Sequence, residues 1–339
     1  MRPTDFSKSL TDFLSRYLPG ERGLSKNTIS SYRDAFILYL TFVKEIKGLQ
    51  AEKLTLSQIT KESVLEFLDW IEIDRNCCTA TRNIRLAAIH SFFQYLQYQN
   101  PENLMEWQRI LSIPVKKTEK TVISFLTVEG VRLLLECPDQ TTKRGRRDLA
   151  MLSLLYNSGA RVQEIIDLTP SMIRLELPNT VKLIGKGNKA RIVPLLEPQM
   201  KFLKRYMIEQ KLLDPSSNTN PLFSNSRKEK LTRSGVNYIL GKYVKQARLV
   251  KPLLIPEKFS CHCLRHSLAM HLLQSGVNLV YIRDILGHSS IQVTEIYARV
   301  DSRQKREAIE NAYSNVSPKE IPSWLANDNL LDWLKSFDK

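Results

Sequence analysis

The stretch CHCLRH, residues 261–266, places two cysteines, two histidines and an arginine within six positions. A zinc site takes about four ligands, usually from separated clusters. Cys261, His262 and Cys263 are instead consecutive, so their side chains diverge. The other cysteines of the chain share no matching spacing with them: Cys77, Cys78 and Cys137. We therefore expect no metal site here, and we expect both thiols to behave as small, half-buried apolar side chains.

The same stretch fits the start of a helix. Leu264, Leu268 and Leu272 recur at helical spacing and predict one buried stripe. His262 and Arg265 are three residues apart, so they share a face of the first turn. That turn carries unpaired backbone N–H groups and a partial positive charge. A cation and an imidazole there suit a phosphate, and a surface arginine beside a helix-start histidine explains the pattern equally well.

Three further stretches contain residues that could take part in chemistry. SGARVQEIIDL places Arg161 at the opening of a helix, with Glu164 three residues on as an ion-pair partner. GKGNKAR places Lys186 at a hairpin tip, and its spacing is not that of a nucleotide-binding P-loop. LGHSSIQVTEIY places His288 nine residues before Tyr297. Taken one at a time, each is also an ordinary surface or helix-start pattern.

The composition indicates an acidic partner. The 339 residues include 50 Lys and Arg against 35 Asp and Glu, which gives a net charge of +15, and nucleic acid is the commonest partner of such a chain. Five cysteines, two of them adjacent, do not form a disulfide framework and favour a reduced, cytoplasmic setting. The first ten residues lack the core of a secretory signal, and no run approaches the ~20 apolar residues of a membrane helix.

Apolar periodicity predicts an almost entirely helical region over residues 5–112. Its helices are predicted over 5–17, from a Ser25 cap to about Lys47, from a Thr60 cap, and from Thr79 onward. Short, glycine-poor connections between them indicate a small helical bundle. The domain boundaries that we predict are 1–112 for this bundle, 113–126 for a charged linker, 127–316 for a second domain and 317–339 for a tail.

The second domain is predicted to be mixed. Short β runs flank Gly187-Asn188, which is a hairpin signal. On the helix at CHCLRH, His266 and His271 are expected to make structural hydrogen bonds. The tail is rich in large apolar residues that cannot form a core alone, so it is expected to dock on its own body or on a neighbouring subunit. Helices are predicted over 127–137, 143–157, 198–212, 232–247, 262–274, 278–286 and 301–314.

Taken together and in chain order, the candidate residues resemble the tyrosine recombinase and phage integrase family, close to the XerC/XerD type. The residues are Arg161, Lys186, His262, Arg265, His288 and Tyr297. The matching segments, over about 25 to 300, are LSKNTISSYRDAFILYL, SGARVQEIIDL, GKGNKARIVPL, HCLRHSLAMHLLQSGV and YIRDILGHSSIQVTEIYARV. The resemblance implies a mainly α (α+β) fold class: a helical SAM-like core-binding domain, then a mostly helical catalytic domain with a small β-sheet.

The resemblance also implies a site-specific DNA recombinase that forms a covalent 3′-phosphotyrosine intermediate without metal or cofactor. It implies that Tyr297 is the nucleophile and that Lys186 is the general acid. His262 would help to deprotonate the tyrosine and His288 would donate a supporting hydrogen bond. A phosphodiester gains charge in its transition state, and the forked side chains of Arg161 and Arg265 can each grip its oxygens.

The partners that the resemblance implies are double-stranded DNA and further copies of the chain, in a tetramer on two duplexes, with accessory proteins. A mobile element or a replicon would be its target. Two other functions fit the same scaffold: a type IB topoisomerase, and a DNA-binding regulator without catalytic activity. A metal-dependent nuclease is a third alternative.

Overall fold

A computed structural model of the chain describes residues 3–118 and 123–300, together with Leu331, Leu334 and Lys335. The chain divides into two compact units, with the boundary between Thr121 and Val122. The helix predicted over 301–314 and nearly all of the predicted tail at 317–339 lie outside the described residues.

The first unit is helical, as predicted. Two helix starts follow from their caps, since Ser25 accepts the N–H of Thr28 and Thr60 accepts the N–H of Ser63. The first helix differs from the one predicted over 5–17. After eight α-helical residues it continues as a π-helix over Phe13–Glu21. The α-helices are α1 (Asp5–Asp12), α2 (Lys26–Lys47), α3 (Lys61–Ile73), α4 (Thr79–Gln99) and α5 (Leu104–Leu111).

An aromatic core holds the first unit together. The rings of Phe13 and Phe92 meet edge to face, with centroids 5.2 Å apart, in an arrangement that adds to the burial energy of the rings. Ile113 is buried in the same core. The backbone of Lys116 exchanges two hydrogen bonds with the side chain of Asn83, at 2.8 and 3.2 Å. The first residues of the segment predicted as a linker therefore pack on this unit.

The second unit is mixed and mostly helical, as predicted. Its antiparallel sheet has the order β1 (Ile173–Arg174), β2 (Thr180–Ile184) and β3 (Ala190–Pro194). The two predicted β runs are confirmed as β2 and β3. Strand β1 and the helix over Gln292–Val300 were not predicted. The helices are α6 (Val128–Glu136), α7 (Lys143–Ser158), α8 (Val162–Ile166), α9 (Glu197–Glu209), α10 (Arg233–Val250), α11 (Cys261–Gln274), α12 (Leu279–Leu286) and α13 (Gln292–Val300).

Two groups of buried side chains stabilise the second unit. The larger group surrounds α7 and the inner face of the sheet, where Val181 and Leu183 point inward two residues apart. The smaller group joins α11, α12 and α13 and contains Met270, Leu286 and Tyr297. The thiols of Cys261 and Cys263 are buried rather than half-buried. Cys261 packs in the larger group, and the Cys263 thiol accepts the N–H of Ser260 at 3.3 Å.

Candidate active site

Arg161 stands where α7 gives way to α8. The chain turns at Gly159, which has a left-handed φ of 58° and no room for a side chain, since a Cβ there would lie 2.7 Å from Leu286. Arg161 then caps α8, and its guanidinium donates to Glu164 Oε1 at 2.9 Å and to the Gly287 carbonyl at 3.2 Å. The predicted pair of Arg161 and Glu164 is confirmed.

Arg265 is buried, with 3% of its surface exposed, whereas its helix neighbour His262 is exposed. Its guanidinium donates to the carbonyls of Gly159 and Leu286, each at 2.5 Å. Both carbonyls lie at helix C-termini, where a partial negative charge favours a cation. Burial first, then repulsion from Arg161 and Arg191, lowers the pKa of Arg265 to about 9, so the group stays charged at neutral pH.

The C-terminal end of α12 gathers a cluster of guanidinium groups. The positive charges of these guanidinium groups repel one another, and the carbonyl dipoles at the end of the helix offset that repulsion. The site is therefore organised by backbone groups before any phosphate enters it. Three successive carbonyls each accept from a different arginine: Ile285 from Arg191 (2.8 Å), Leu286 from Arg265 (2.5 Å) and Gly287 from Arg161 (3.2 Å).

Arg191 on β3 is a site residue that the sequence reasoning missed. It donates to both carboxylate oxygens of Glu164, at 2.8 and 2.7 Å, which is the bidentate geometry of a strong ion pair. Burial raises the pKa of Glu164, but hydrogen bonds from Arg191 and Arg161 outweigh it, so the pKa lies below its usual value. The signal was present, since strand alternation puts Arg191 on the same face as the buried Val193.

Tyr297 lies on α13 and is 1% exposed. Its hydroxyl is 2.9 Å from Nδ1 of His266. Its ring is nearly parallel to that of His288, with centroids 6.4 Å apart. Burial raises the pKa of the Tyr297 phenol, and the charges of Arg265 and Arg161 act in the opposite direction. The predicted nucleophile thus lies within the influence of both predicted phosphate-binding arginines.

The histidines around Tyr297 are held in the neutral form. Nδ1 of His288 is 2.9 Å from the hydroxyl of the buried Thr294. The pKa values of His266 and His288 are lowered to about 4, by burial first and then by nearby histidine or arginine side chains. The pKa of His262 is lowered as well, by partial shielding of its ring from water and then by Arg265, although the residue is exposed. Neutral imidazoles can accept hydrogen bonds as well as donate them.

The remaining predictions for α11 have different outcomes. His271 makes a structural hydrogen bond, as predicted, with Nδ1 2.8 Å from the Tyr156 hydroxyl. His266 also makes a hydrogen bond, but its partner is the predicted nucleophile Tyr297. Sequence reasoning missed that connection, because the two residues are 31 positions apart and no local pattern links them.

Lys186 lies at the turn between β2 and β3, and its side chain is outside the described part of the structure. The predicted hairpin is confirmed: the N–H of Gly185 donates to the Lys189 carbonyl at 2.8 Å, and β2 pairs with β3 from Ile184–Ala190 onward. Gly187 and Asn188 both have positive φ, at 75° and 58°, which these residue types tolerate best.

An open cleft of about 560 Å³ lies beside this cluster. Its walls carry four cationic side chains together with His288: Arg161, Lys189, Arg191 and Arg283. Such a concentration of positive charge suits a phosphate backbone. Among the described residues, no group of three His, Cys, Asp or Glu side chains is placed to hold a metal ion. Nor does that part of the chain contain a helix long and apolar enough to cross a bilayer.

Comparison with known proteins gives matches over both units of the chain. The model of the phage integrase family matches residues 124–304, and that of the phage integrase N-terminal SAM-like domain matches residues 10–100. The putative integrase/recombinase y4rC of Sinorhizobium fredii is 35% identical over 329 residues, 96% of this chain and 97% of that protein. Tyrosine recombinase XerD of Oceanobacillus iheyensis is 33% identical over 301 residues, 88% of this chain and 96% of that protein.

Solved structures of recombinases and integrases share the fold of this chain. The XerH site-specific recombinase bound to its difH substrate, before cleavage, superposes with a TM-score of 0.66 at 25% identity, over 87% of this chain and 82% of that one. The Tn1549 transposon integrase in complex with transposon right-end DNA gives 0.66 at 15% identity, over 90% and 99%, and this match concerns the fold alone. These structural relatives are recombinases and integrases bound to DNA.

The family match and the fold together identify a tyrosine-type site-specific DNA recombinase. The chain belongs to the phage integrase family. The predicted family, the predicted fold class and the predicted enzyme class are confirmed.

Proposed function

We propose that the cleft beside Arg161 binds the scissile phosphodiester of duplex DNA and that Tyr297 attacks it, leaving a covalent 3′-phosphotyrosine link. One observation carries the proposal: Arg161 and Arg265 both bind the turn that ends in His288, whose ring lies against Tyr297. Residues that are distant in sequence thereby converge around one phenol. Retaining the phosphotyrosine link conserves bond energy, so a 5′-hydroxyl from another strand can attack it and reseal the DNA.

The chemistry assigns a separate task to each residue. A free phenol has a pKa of about 10, so Tyr297 must lose its proton as it attacks. Arg161 and Arg265 stabilise the charge that develops on the non-bridging oxygens. Lys186, at the hairpin turn, donates a proton to the leaving 5′-oxygen. His262 assists the deprotonation of the tyrosine, and His288 donates a hydrogen bond to the phosphate.

The assembly that we propose is a tetramer on two DNA duplexes, formed in the cytoplasm with the help of accessory proteins. The net charge of +15 supports salt-sensitive binding to the DNA backbone. The tail at 317–339 docks on the adjacent protomer and orders the segment near Tyr297. The target is a site on a mobile element or replicon.

Covalent capture tests the catalytic proposal. The purified full chain is incubated with fragmented DNA from its host, the mixture is denatured in detergent, and DNA that stays attached to protein is sequenced. We expect Tyr297→Phe to retain DNA binding and to lose every adduct, while wild type yields adducts at one recurring sequence. If wild type binds DNA but yields no adduct, the chain is a DNA-binding regulator and the proposal fails.

The other enzymatic alternatives give different results in the same experiment. Adducts should form equally well in the presence of EDTA. A metal-dependent nuclease would be inactive under that condition and would never leave protein attached to the DNA. A type IB topoisomerase would relax supercoiled plasmids that lack the recurring sequence. A recombinase should instead exchange strands between two duplexes that both carry the sequence.

A further inference from the structure

The hydroxyl of Tyr297 has a hydrogen-bond partner that the proposed mechanism does not yet use. Nδ1 of His266 lies 2.9 Å from the phenol oxygen, and the two ring centroids are 5.7 Å apart. His262, to which the resemblance assigns the deprotonation, lies farther along the same helix face. Its ring centroid is 6.3 Å from that of His266. Of these two histidines, His266 is the one with a hydrogen-bond contact to the nucleophile.

The surroundings suit His266 as a proton acceptor. Tyr297 is 1% exposed, and the hydrogen-bond partner of its hydroxyl is His266 rather than bulk water. An imidazole can accept the hydroxyl proton only while neutral, and burial together with the neighbouring His262 and Arg265 keeps His266 in that form. Burial and these neighbours disfavour the imidazolium, and a DNA phosphate bound beside Arg265 would add negative charge that favours it.

We propose that His266 is the residue that directly takes the proton of Tyr297 during strand cleavage, with His262 assisting only through its ring beside His266, an inference that rests on the proposed function. As the phenol oxygen forms its bond to phosphorus, the proton moves from that oxygen to Nδ1 of His266. The bond from phosphorus to the 5′-oxygen breaks, and that oxygen takes a proton from Lys186. In rejoining, the steps reverse and His266 returns its proton to the departing tyrosine.

The test uses the full chain and a nicked DNA that carries the recurring sequence found by covalent capture. One version has the ordinary 5′-oxygen at the cleaved bond, and a second has sulfur there, which leaves without protonation. His266→Asn keeps an oxygen near the position of Nδ1 but cannot hold a proton. His271→Asn is the matched control, since it removes the other histidine–tyrosine pair of α11.

We expect His266→Asn to slow adduct formation by about 10²-fold or more on both substrates. Lys186→Ala should be slow on the oxygen substrate alone, and His271→Asn should react near the wild-type rate. DNA affinity and thermal unfolding of each variant establish that it folds.

Four results would overturn the inference. His266→Asn could retain the wild-type rate, which would show that His266 only positions Tyr297. It could also react faster, which would show that the hydrogen bond with His266 restrains the tyrosine. Its defect could vanish on the sulfur substrate, or His271→Asn could be equally slow. A wild-type enzyme without adducts would instead remove the proposed function itself.

Discussion

Arg191 and Glu164 form a bidentate ion pair in the wall of the cleft, with nitrogen–oxygen distances of 2.8 and 2.7 Å. The Glu164 side chain is only 3% exposed, and it is shared with Arg161 at 2.9 Å. Since Arg191 also donates to the Ile285 carbonyl, one side chain connects the hairpin strand, helix α8 and the end of α12. The position of the Arg161 guanidinium therefore depends on Arg191, which acts through the shared Glu164 and does not need to contact DNA itself.

Removing Arg191 should destabilise the second unit. Arg191→Met leaves the buried carboxylate of Glu164 short of a partner, and breaking such a pair costs about 3–5 kcal/mol. Arg205→Met is the control, because Arg205 is 58% exposed and pairs with Glu209 at 3.4 Å, a contact worth about 1 kcal/mol or less. Hydrogen exchange in rising urea, followed on peptides of the second unit, measures both. Equal losses would show that the Arg191 pair contributes no more than a surface contact.

Gly287 offers a second, sharper comparison. Its φ is 63°, and an added Cβ would lie 2.9 Å from Arg191 Cδ. Gly276 has a φ of 81° and open space at the same position. Gly276→Ala should therefore cost only the left-handed backbone, about 1–2 kcal/mol, whereas Gly287→Ala should cost more and should also slow adduct formation by displacing Arg191. The same hydrogen-exchange measurement applies, and matching losses without a catalytic defect would contradict this account.

Mild acid should destabilise the protein. All five histidines of the chain have lowered pKa values in the fold, with burial as the first cause. For His288 the folded value is about 4, against about 6.5 in an unfolded chain. Between these values the unfolded state binds more protons, so stability falls as pH drops from about 6.5 towards 4. The unfolding midpoint should fall accordingly, and His288→Asn should make the fall shallower. An unchanged slope would contradict the burial of a neutral His288.

The fold was predictable where local chemistry decides it. The caps at Ser25 and Thr60 marked helix starts correctly, because a side-chain oxygen that accepts a backbone N–H is a local event. Strand β1 has two residues, too few to show an alternation. Helix α13 did carry the helical spacing, in Val293, Ile296 and Tyr297. That local spacing is sufficient to predict the helix.

Most contacts of the candidate site could not be predicted from the sequence, and Arg191 was missed altogether. Arg161 and Glu164 are three residues apart, so their pairing is readable from the chain. Arg191 meets Ile285 across 94 positions, and Arg265 meets Gly159 across 106. Contacts of that kind depend on how elements pack, which spacing does not encode. The burial of Arg265 could not be predicted from the sequence for the same reason.

The tail provides the last prediction, which concerns assembly rather than chemistry. Leu331 and Leu334 are each helical and are 60% and 55% exposed, and a spacing of three residues would put both on one apolar helix face. If this face docks on the adjacent protomer, Leu331→Ser combined with Leu334→Ser should lower recombination by about tenfold or more, as lost apolar burial at an interface centre does. Affinity for a single DNA site, measured by gel shift, should stay near wild type. Lys335→Ser is the control at a neighbouring helical position. Unchanged recombination by the double variant, or an equal loss of single-site affinity, would place the tail outside the interface.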